Sequence, residues 1–249
     1  MFDLNGRTAL VTGAGQNVGE GIARALAERG AAVIVNDYHL DRATRVAQEI
    51  DGHGGSATAV AFDVTELSGV RDAFAKITDQ VGPVDILVNN AGTGGPDEPM
   101  RMGQFVDLEP ADWNTLLEVN LIGVLNCCKV AVPPMVERGW GRVITMSSGA
   151  GQIGMNIGVS LYAAAKAGAI GFTRHLAIET ARQGVTANTI ALGLVLPDPS
   201  ALPELARSIP VGRLGTPSDV GALAVYLASP EAAWMTGQTV NLNGGAVTS

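Results

Sequence analysis

Seven short apolar runs, at residues 8–12, 32–36, 57–61, 86–88, 142–146, 186–190 and 239–242, alternate with longer stretches of helical pattern. That alternation leaves few folds open. A strand that is apolar along its whole length, rather than at every second residue, has both faces covered, and the covers are helices crossing between parallel neighbours. The expectation is an α/β fold, a doubly wound parallel sheet with helices on both faces. Sheets of this kind bind ligands outside the carboxyl ends of their strands. Chemistry is therefore expected in the loops after Thr12, Asn36, Val88 and Met146.

Nothing in the composition of the 249 residues shifts midway, so residues 1–249 read as one domain. With 47% apolar, 16% charged and only 4% aromatic residues, the core is expected to consist of Ala, Val, Leu and Ile. Sixteen basic against 24 acidic residues, a net charge of −8, argue against a nucleic acid partner, which recruits clustered Lys and Arg. The N-terminal stretch shows neither a basic segment nor a long apolar one, which gives the expectation of a cytoplasmic protein without a membrane partner. Cys127 and Cys128 are adjacent and read as core residues rather than a disulfide. His39, His53 and His175 are scattered, so no metal site is expected.

The loop after the first run reads Thr12-Gly13-Ala14-Gly15-Gln16-Asn17-Val18-Gly19-Glu20-Gly21 and opens a helical pattern. Glycines there let backbone approach a pyrophosphate, and the helix start offers free N–H groups. Asp37 ends the second run, 24 residues after Gly13, where a carboxylate accepts hydrogen bonds from an adenosine ribose and repels a 2′-phosphate. No basic side chain lies between Gly13 and Gly19, and Tyr38 follows Asp37. These features favour NAD over NADP.

Further along, Tyr162 and Lys166 lie four apart in an alanine-rich stretch, one above the other on a helix face. A phenol ionising near pH ~10 needs a shift of roughly three units, about 4 kcal/mol, to act as an acid/base near neutrality. An ammonium about 4 Å away supplies roughly that much at an effective dielectric of ~20. Lys166 is therefore expected to lower the pKa of Tyr162.

Taken together, Thr12-Gly13 through Gly19, Asp63-Val64, Asn89-Asn90-Ala91-Gly92, Asn120, Ser148, and Tyr162 with Lys166 resemble the short-chain dehydrogenase/reductase family over essentially the whole chain. The resemblance implies a Rossmann-type sheet of seven parallel strands and a catalytic set of Asn120, Ser148, Tyr162 and Lys166. Tyr162 would exchange a proton with the substrate oxygen and Ser148 would hydrogen-bond that oxygen. Lys166 would bind the nicotinamide ribose, and Asn120 would hold a water linking Lys166 to solvent. Asp63 and Val64 are expected near the adenine, with Asn90, Ala91 and Gly92 along the central cofactor wall. Family members are often tetramers, and the helices beginning near Trp113 and Tyr162, with the last strand, would make those contacts.

Three departures from the family pattern stand out. Asn17 occupies the place of the middle phosphate-loop glycine in the register that starts at Thr12, whereas Gly15, Gly19 and Gly21 match one step later. The first register is preferred, because asparagine tolerates a left-handed conformation. Ser148 precedes Tyr162 by 14 residues, one more than is commonest, which leaves Ser147 as an alternative to the favoured Ser148. Leu192 replaces a proline, and Pro197 a threonine that often meets the nicotinamide amide in the family, leaving main-chain contact through Val195.

The reading is an NAD(H)-dependent oxidoreductase of a secondary alcohol or ketone. Segments 93–105, 149–161 and 194–210 would shape the substrate site, the last as a short lid. Met155, Ile157, Leu161, Leu194 and Leu196 suit a hydrophobic substrate or, equally, packing against a neighbouring subunit or a lid helix, and Arg101 and Arg207 are the candidate anchors for a carboxylate. The alternatives are a 3-oxoacyl thioester reductase using NADPH and a non-catalytic dinucleotide-binding regulator.

Overall fold

A computed structural model describes residues 1–92 and 100–248. The strands are β1 (Thr8–Val11), β2 (Ala32–Asp37), β3 (Ser56–Ala61), β4 (Ile86–Asn89), β5 (Gly141–Ser148), β6 (Val185–Leu192) and β7 (Thr239–Leu242). They form one parallel sheet in the order β3-β2-β1-β4-β5-β6-β7. The chain builds outward from β1 in one direction, then crosses to β4 and builds in the other. The crevice between the carboxyl ends of β1 and β4 is thereby left open to a ligand.

The helices are α1 (Asn17–Ala27), α2 (Leu40–Gly52), α3 (Leu67–Gln80), α4 (Trp113–Leu117), α5 (Gly123–Arg138), α6 (Ser160–Thr180), α7 (Pro203–Arg207) and α8 (Pro217–Ala228). Because strand side chains alternate between faces, neighbouring residues of one strand enter different cores. Val33 and Val35 pack with Leu26, Val46 and Val220 beneath α1, α2 and α8. Ile34 instead joins Phe74, Ile77, Met135 and Leu176 beneath α3, α5 and α6. Both faces of the central strands are covered, which is why those strands are apolar throughout. The edge strand β3 departs from that pattern: Ser56 and Ala61 are exposed and the residues between them are only half-buried.

Glycine lets α1 and α8 approach closely. A Cβ at Gly21 would stand 2.4 Å from Pro217 Cβ, and one at Gly221 would stand 2.7 Å from Ala25 Cβ. Gly21 therefore serves helix packing, which disposes of the alternative phosphate-loop register. Asn17 holds a φ of 50°, the left-handed conformation that a glycine would otherwise supply.

The helical region starting at Trp113 is interrupted by a π-helical turn, Glu118–Ile122, between α4 and α5. By length and mean hydropathy of 1.5, the segment Pro110–Arg138 could cross a membrane, but half of that window is buried within the protein. Its apolar residues Val124, Cys127, Ala131 and Met135 belong to the core beneath α5. A core helix accounts for the composition.

Candidate active site

The crevice at the strand ends is a cleft of about 440 Å³ that runs from Asp37 and Tyr38 at one end to Tyr162 and Lys166 at the other. Gly13, Asn17, Val18, Gly19, Asp63, Val64, Asn90, Ala91, Gly92 and Val195 also line it.

Thr12 ties the ends of β1 and β4 together, its Oγ1 accepting from the backbone N–H of Asn90 and of Ala91 at 3.0 Å each. The amide Nδ2 of Asn90 returns the tie, donating to the carbonyls of Thr12 and Gly13 at 2.9 Å each. A Cβ on Gly19 would lie 2.2 Å from Gly13 O and 2.5 Å from Asn90 Nδ2, so only glycine fits there. Backbone thus comes close to the cleft at the start of a helix, as anion binding by free N–H groups requires. A pyrophosphate suits this cradle.

At the other end of the dinucleotide site, the carboxylate of Asp37 is buried and already holds the protein's own backbone. Its Oδ2 accepts from Gly15 N at 3.1 Å and its Oδ1 from His39 N at 3.0 Å. Sequence reading missed Arg42, which lines the cleft beside Asp37 from the first turn of α2. Scanning only residues 13–19 and the residue after Asp37 could not find it, because a residue five positions on comes alongside only once α2 has turned. No basic side chain lies at residues 13–19 or directly after Asp37, but Arg42 supplies one at this end of the cleft. Asp63 is likewise occupied, its Oδ1 accepting from Thr65 N and Oγ1 at 2.8 Å each.

The residues expected to take part in proton transfer come from three elements. Ser148 ends β5, Tyr162 and Lys166 lie on α6, and Asn120 sits in the π turn, fully buried. Such turns realign the side chains of a helix and recur at functional sites. Ser148 Oγ accepts from Ala150 N at 3.2 Å, and its side chain is near enough to that of Tyr162 to draw the phenol's pKa down. By contrast, Ser147 donates its hydroxyl to Lys166 O at 3.1 Å, so the two serines have separate tasks. Lys166 Nζ is buried and donates to Met146 O at 3.0 Å. Asn120 donates from Nδ2 to Leu116 O at 2.9 Å. A Cβ on Gly92 would stand 2.8 Å from Asn120 Oδ1 and 3.1 Å from Lys166 Nζ, so this glycine keeps the space between those two groups clear.

The electrostatics correct the sequence-based expectation for the phenol. Burial pushes the pKa of Tyr162 above its usual value, with the neighbouring Ser148 side chain acting in the opposite direction. The ammonium of Lys166 lies over the ring, 5.7 Å from its centroid, and its own pKa is pushed down to about 8 by burial. A helix face that brings the two residues together also takes both out of water, and that desolvation disfavours each charged form.

Around the mouth, Gly103 N donates to Gly158 O at 2.9 Å, which joins two of the three substrate segments. In the third, Leu196 N donates to Gly215 O and Gly215 N to Leu194 O, at 3.0 Å each, which fixes Val195 along the cleft. Residues 93–99 of the first segment lie outside the described residues. The candidate carboxylate anchors are engaged elsewhere: Arg101 pairs with Asp112, and Arg207 with Glu204 at 2.9 Å. No cluster of three or more His, Cys, Asp or Glu side chains suited to a metal occurs among the described residues. Cys127 and Cys128 are buried thiols whose pKa burial raises.

Comparison with known proteins agrees with this geometry. Residues 13–247 match the family model described as enoyl-(acyl carrier protein) reductase. The chain is similar to the oxidoreductase UcpA of Salmonella typhimurium, 39% identical over 260 residues that cover 99% of this chain and 96% of the relative. It is also similar to 3-oxoacyl-(acyl-carrier-protein) reductase FabG of Vibrio cholerae, 40% identical over 250 residues and 98% of each chain. Among solved structures it is similar to a gluconate 5-dehydrogenase from Burkholderia cenocepacia in complex with NADP and tartrate. That structure has a TM-score of 0.90 at 34% identity and covers 98% of this chain and 96% of its own. A doubly wound seven-stranded sheet, a dinucleotide cleft at its switch point and similarity along nearly the full length place this chain, an oxidoreductase, in the short-chain dehydrogenase/reductase family.

Proposed function

We propose that the protein transfers a hydride between a nicotinamide dinucleotide and an apolar secondary alcohol or its ketone, with Tyr162 as the proton-exchanging group. The observation that carries this reading is the pairing of Tyr162 with a buried Lys166 at the end of the dinucleotide cleft, the Lys166 Nζ 5.7 Å from the Tyr162 ring centroid. The dinucleotide supplies the carbon that gives or takes the hydride. The protein's share is positioning and proton transfer.

In the reducing direction, a phenol that burial keeps protonated is a ready donor to the developing alkoxide, and Ser148 offers that oxygen a second hydrogen bond. In the oxidising direction, the same phenol takes the alcohol proton only after losing its own. Lys166, with its pKa near 8, and Asn120 across the gap at Gly92 form the route along which that proton leaves.

The rim supports an apolar substrate. Met102, Phe105, Ile153, Met155, Ile157, Leu194, Leu202 and Leu205 are all more than 40% exposed, and all fall in the three segments around the mouth. Apolar surface concentrated in one place marks a site of contact with apolar matter.

For the cofactor, Asp37 supports NAD(H), as a carboxylate that meets the ribose hydroxyls. Arg42, beside it on the same wall and in no ion pair among the described residues, supports NADP(H). The second reading, reduction of a 3-oxoacyl thioester with NADPH, draws on that arginine and on the FabG similarity. Titration of NADH and of NADPH followed by protein fluorescence, with Asp37→Ala and Arg42→Ala in parallel, separates the two. If NAD(H) is the cofactor, Asp37→Ala loses NADH affinity; tight NADPH binding lost in Arg42→Ala would overturn it.

A further inference from the structure

Gly15, within the phosphate loop, is held on both its flanking peptide groups. Its N–H donates to Asp37 Oδ2 at 3.1 Å, and its carbonyl accepts from Arg45 Nη2 at 2.9 Å. No side chain fits at this position, since a Cβ would stand 2.6 Å from both Asp37 Oδ2 and Arg42 Cβ.

Arg45 is itself fixed. Its Nη2 also donates to Glu20 Oε2 at 2.7 Å, and its Nη1 to Glu49 Oε1 at 3.2 Å. Arg24 closes the ring, pairing with Glu20 at 2.8 Å and with Glu49. Two guanidiniums and two carboxylates thus bridge α1 and α2. Burial opposes ionisation of Glu20, yet Arg45 and Arg24 hold its pKa below the usual carboxylate value, so the ring stays charged at neutral pH. Networks of this kind hold geometry better than isolated surface pairs do. Arg45 is not among the residues lining the dinucleotide cleft; it faces the adjoining space beside Gln16 and Asn17, and its contact with the phosphate loop is the Gly15 carbonyl.

We propose that Arg45, seated between Glu20 and Glu49, is a positioning residue for dinucleotide binding: it holds the Gly15 carbonyl so that the loop's N–H groups are set for the pyrophosphate before it arrives. This rests on the dinucleotide-dependent function above. A loop already in its bound conformation loses less entropy when the ligand docks. Without the guanidinium the Gly15 peptide would be free to turn, and a carbonyl dipole facing a phosphate repels it.

The test is NADH and NADPH titration of the wild type, Arg45→Met, Arg45→Lys and Glu49→Gln, each with a thermal melt. Glu49→Gln weakens the ring but leaves the bond to Gly15. For the dinucleotide that the wild type binds, Arg45→Met is expected to weaken affinity about tenfold, the size of one charge-assisted hydrogen bond. Glu49→Gln should bind within twofold of the wild type despite a lower Tm, and Arg45→Lys, which keeps one charged donor, should recover part of the loss. Affinity in Arg45→Met equal to the wild type would overturn the proposal, as would a loss in Glu49→Gln matching that in Arg45→Met, since affinity would then simply follow stability. If Arg45→Met does not fold, Arg45→Lys against Glu49→Gln makes the same comparison. A wild type that binds neither dinucleotide would overturn the proposed function, and this proposal with it.

Discussion

The two ends of the site are built on opposite principles. In the dinucleotide cleft, Thr12, Asn36, Asp37, Asp63 and Asn90 spend their hydrogen bonds on the protein's own loops, and glycines at 13, 19 and 92 bring backbone to the surface. At the rim, the side chains of Met155, Ile157 and Leu194 are 41–52% exposed, and only backbone hydrogen bonds such as Gly215 N to Leu194 O tie their segments down. The cleft is preorganised and tolerates little change; the rim is apolar surface whose identity can vary while the fold stays the same. Chemistry common to a family belongs to the first kind of region and substrate choice to the second.

The difference can be broken at the chemical end without disturbing either region. Tyr162→Phe keeps the ring and removes the proton, so turnover is expected to fall by about 10²–10⁴ while dinucleotide affinity stays within twofold. Parallel kinetics and fluorescence titration measure both quantities.

A single methyl group tests the rigidity of the cleft. Gly19→Ala places a Cβ 2.2 Å from Gly13 O, and the loop must move to admit it. Dinucleotide affinity is expected to fall on the order of 100-fold, roughly 2.7 kcal/mol, with a lower Tm. Binding within a few-fold of the wild type would show that the loop yields more easily than its hydrogen bonds suggest.

Lys166 separates function from stability. Its folded pKa of about 8 lies below the 10.5 of a free lysine, so between those values the unfolded chain holds a proton that the folded one has lost. Stability therefore rises with pH across that window, and the full cost of burying the ammonium applies below pH 8. Lys166→Met is expected to stabilise the fold at pH 7 by about 2 kcal/mol, to flatten the rise between pH 8 and 10, and to abolish turnover. Denaturant unfolding at three pH values checks the sign.

The smallest effect belongs to the rim. Leu194→Ser or Met155→Ser should raise KM for an apolar substrate several-fold, about 1 kcal/mol, and leave dinucleotide affinity unchanged. An unchanged KM for apolar substrates in both variants would remove the rim from the substrate site.

The sheet was legible because its signal is local: each apolar run became a strand, with ends differing by one or two residues, since the last hydrogen bond of a strand is set by its neighbour. The left-handed Asn17 was legible for the same reason, as a conformational demand on one residue. What escaped depends on the third dimension. Arg42 and Arg45 reach the phosphate loop only after α2 folds back along β2, and neither lies in a motif. The π turn that turns Asn120 inward is a choice between hydrogen-bond partners one residue apart, which helix-forming residues do not reveal. The pKa direction of Tyr162 was misread because spacing reports how near a charge is but not how much water both groups lose.

The most direct test of the account is absorbance at the nicotinamide band while the purified protein meets apolar secondary alcohols with oxidised dinucleotide, and apolar ketones with reduced dinucleotide, beside a panel of polar hydroxy acids. The account predicts turnover with apolar substrates, exceeding that with the acids and lost in Tyr162→Phe. Tight dinucleotide binding with no turnover in either direction would contradict it, and would leave the chain a dinucleotide-binding regulator.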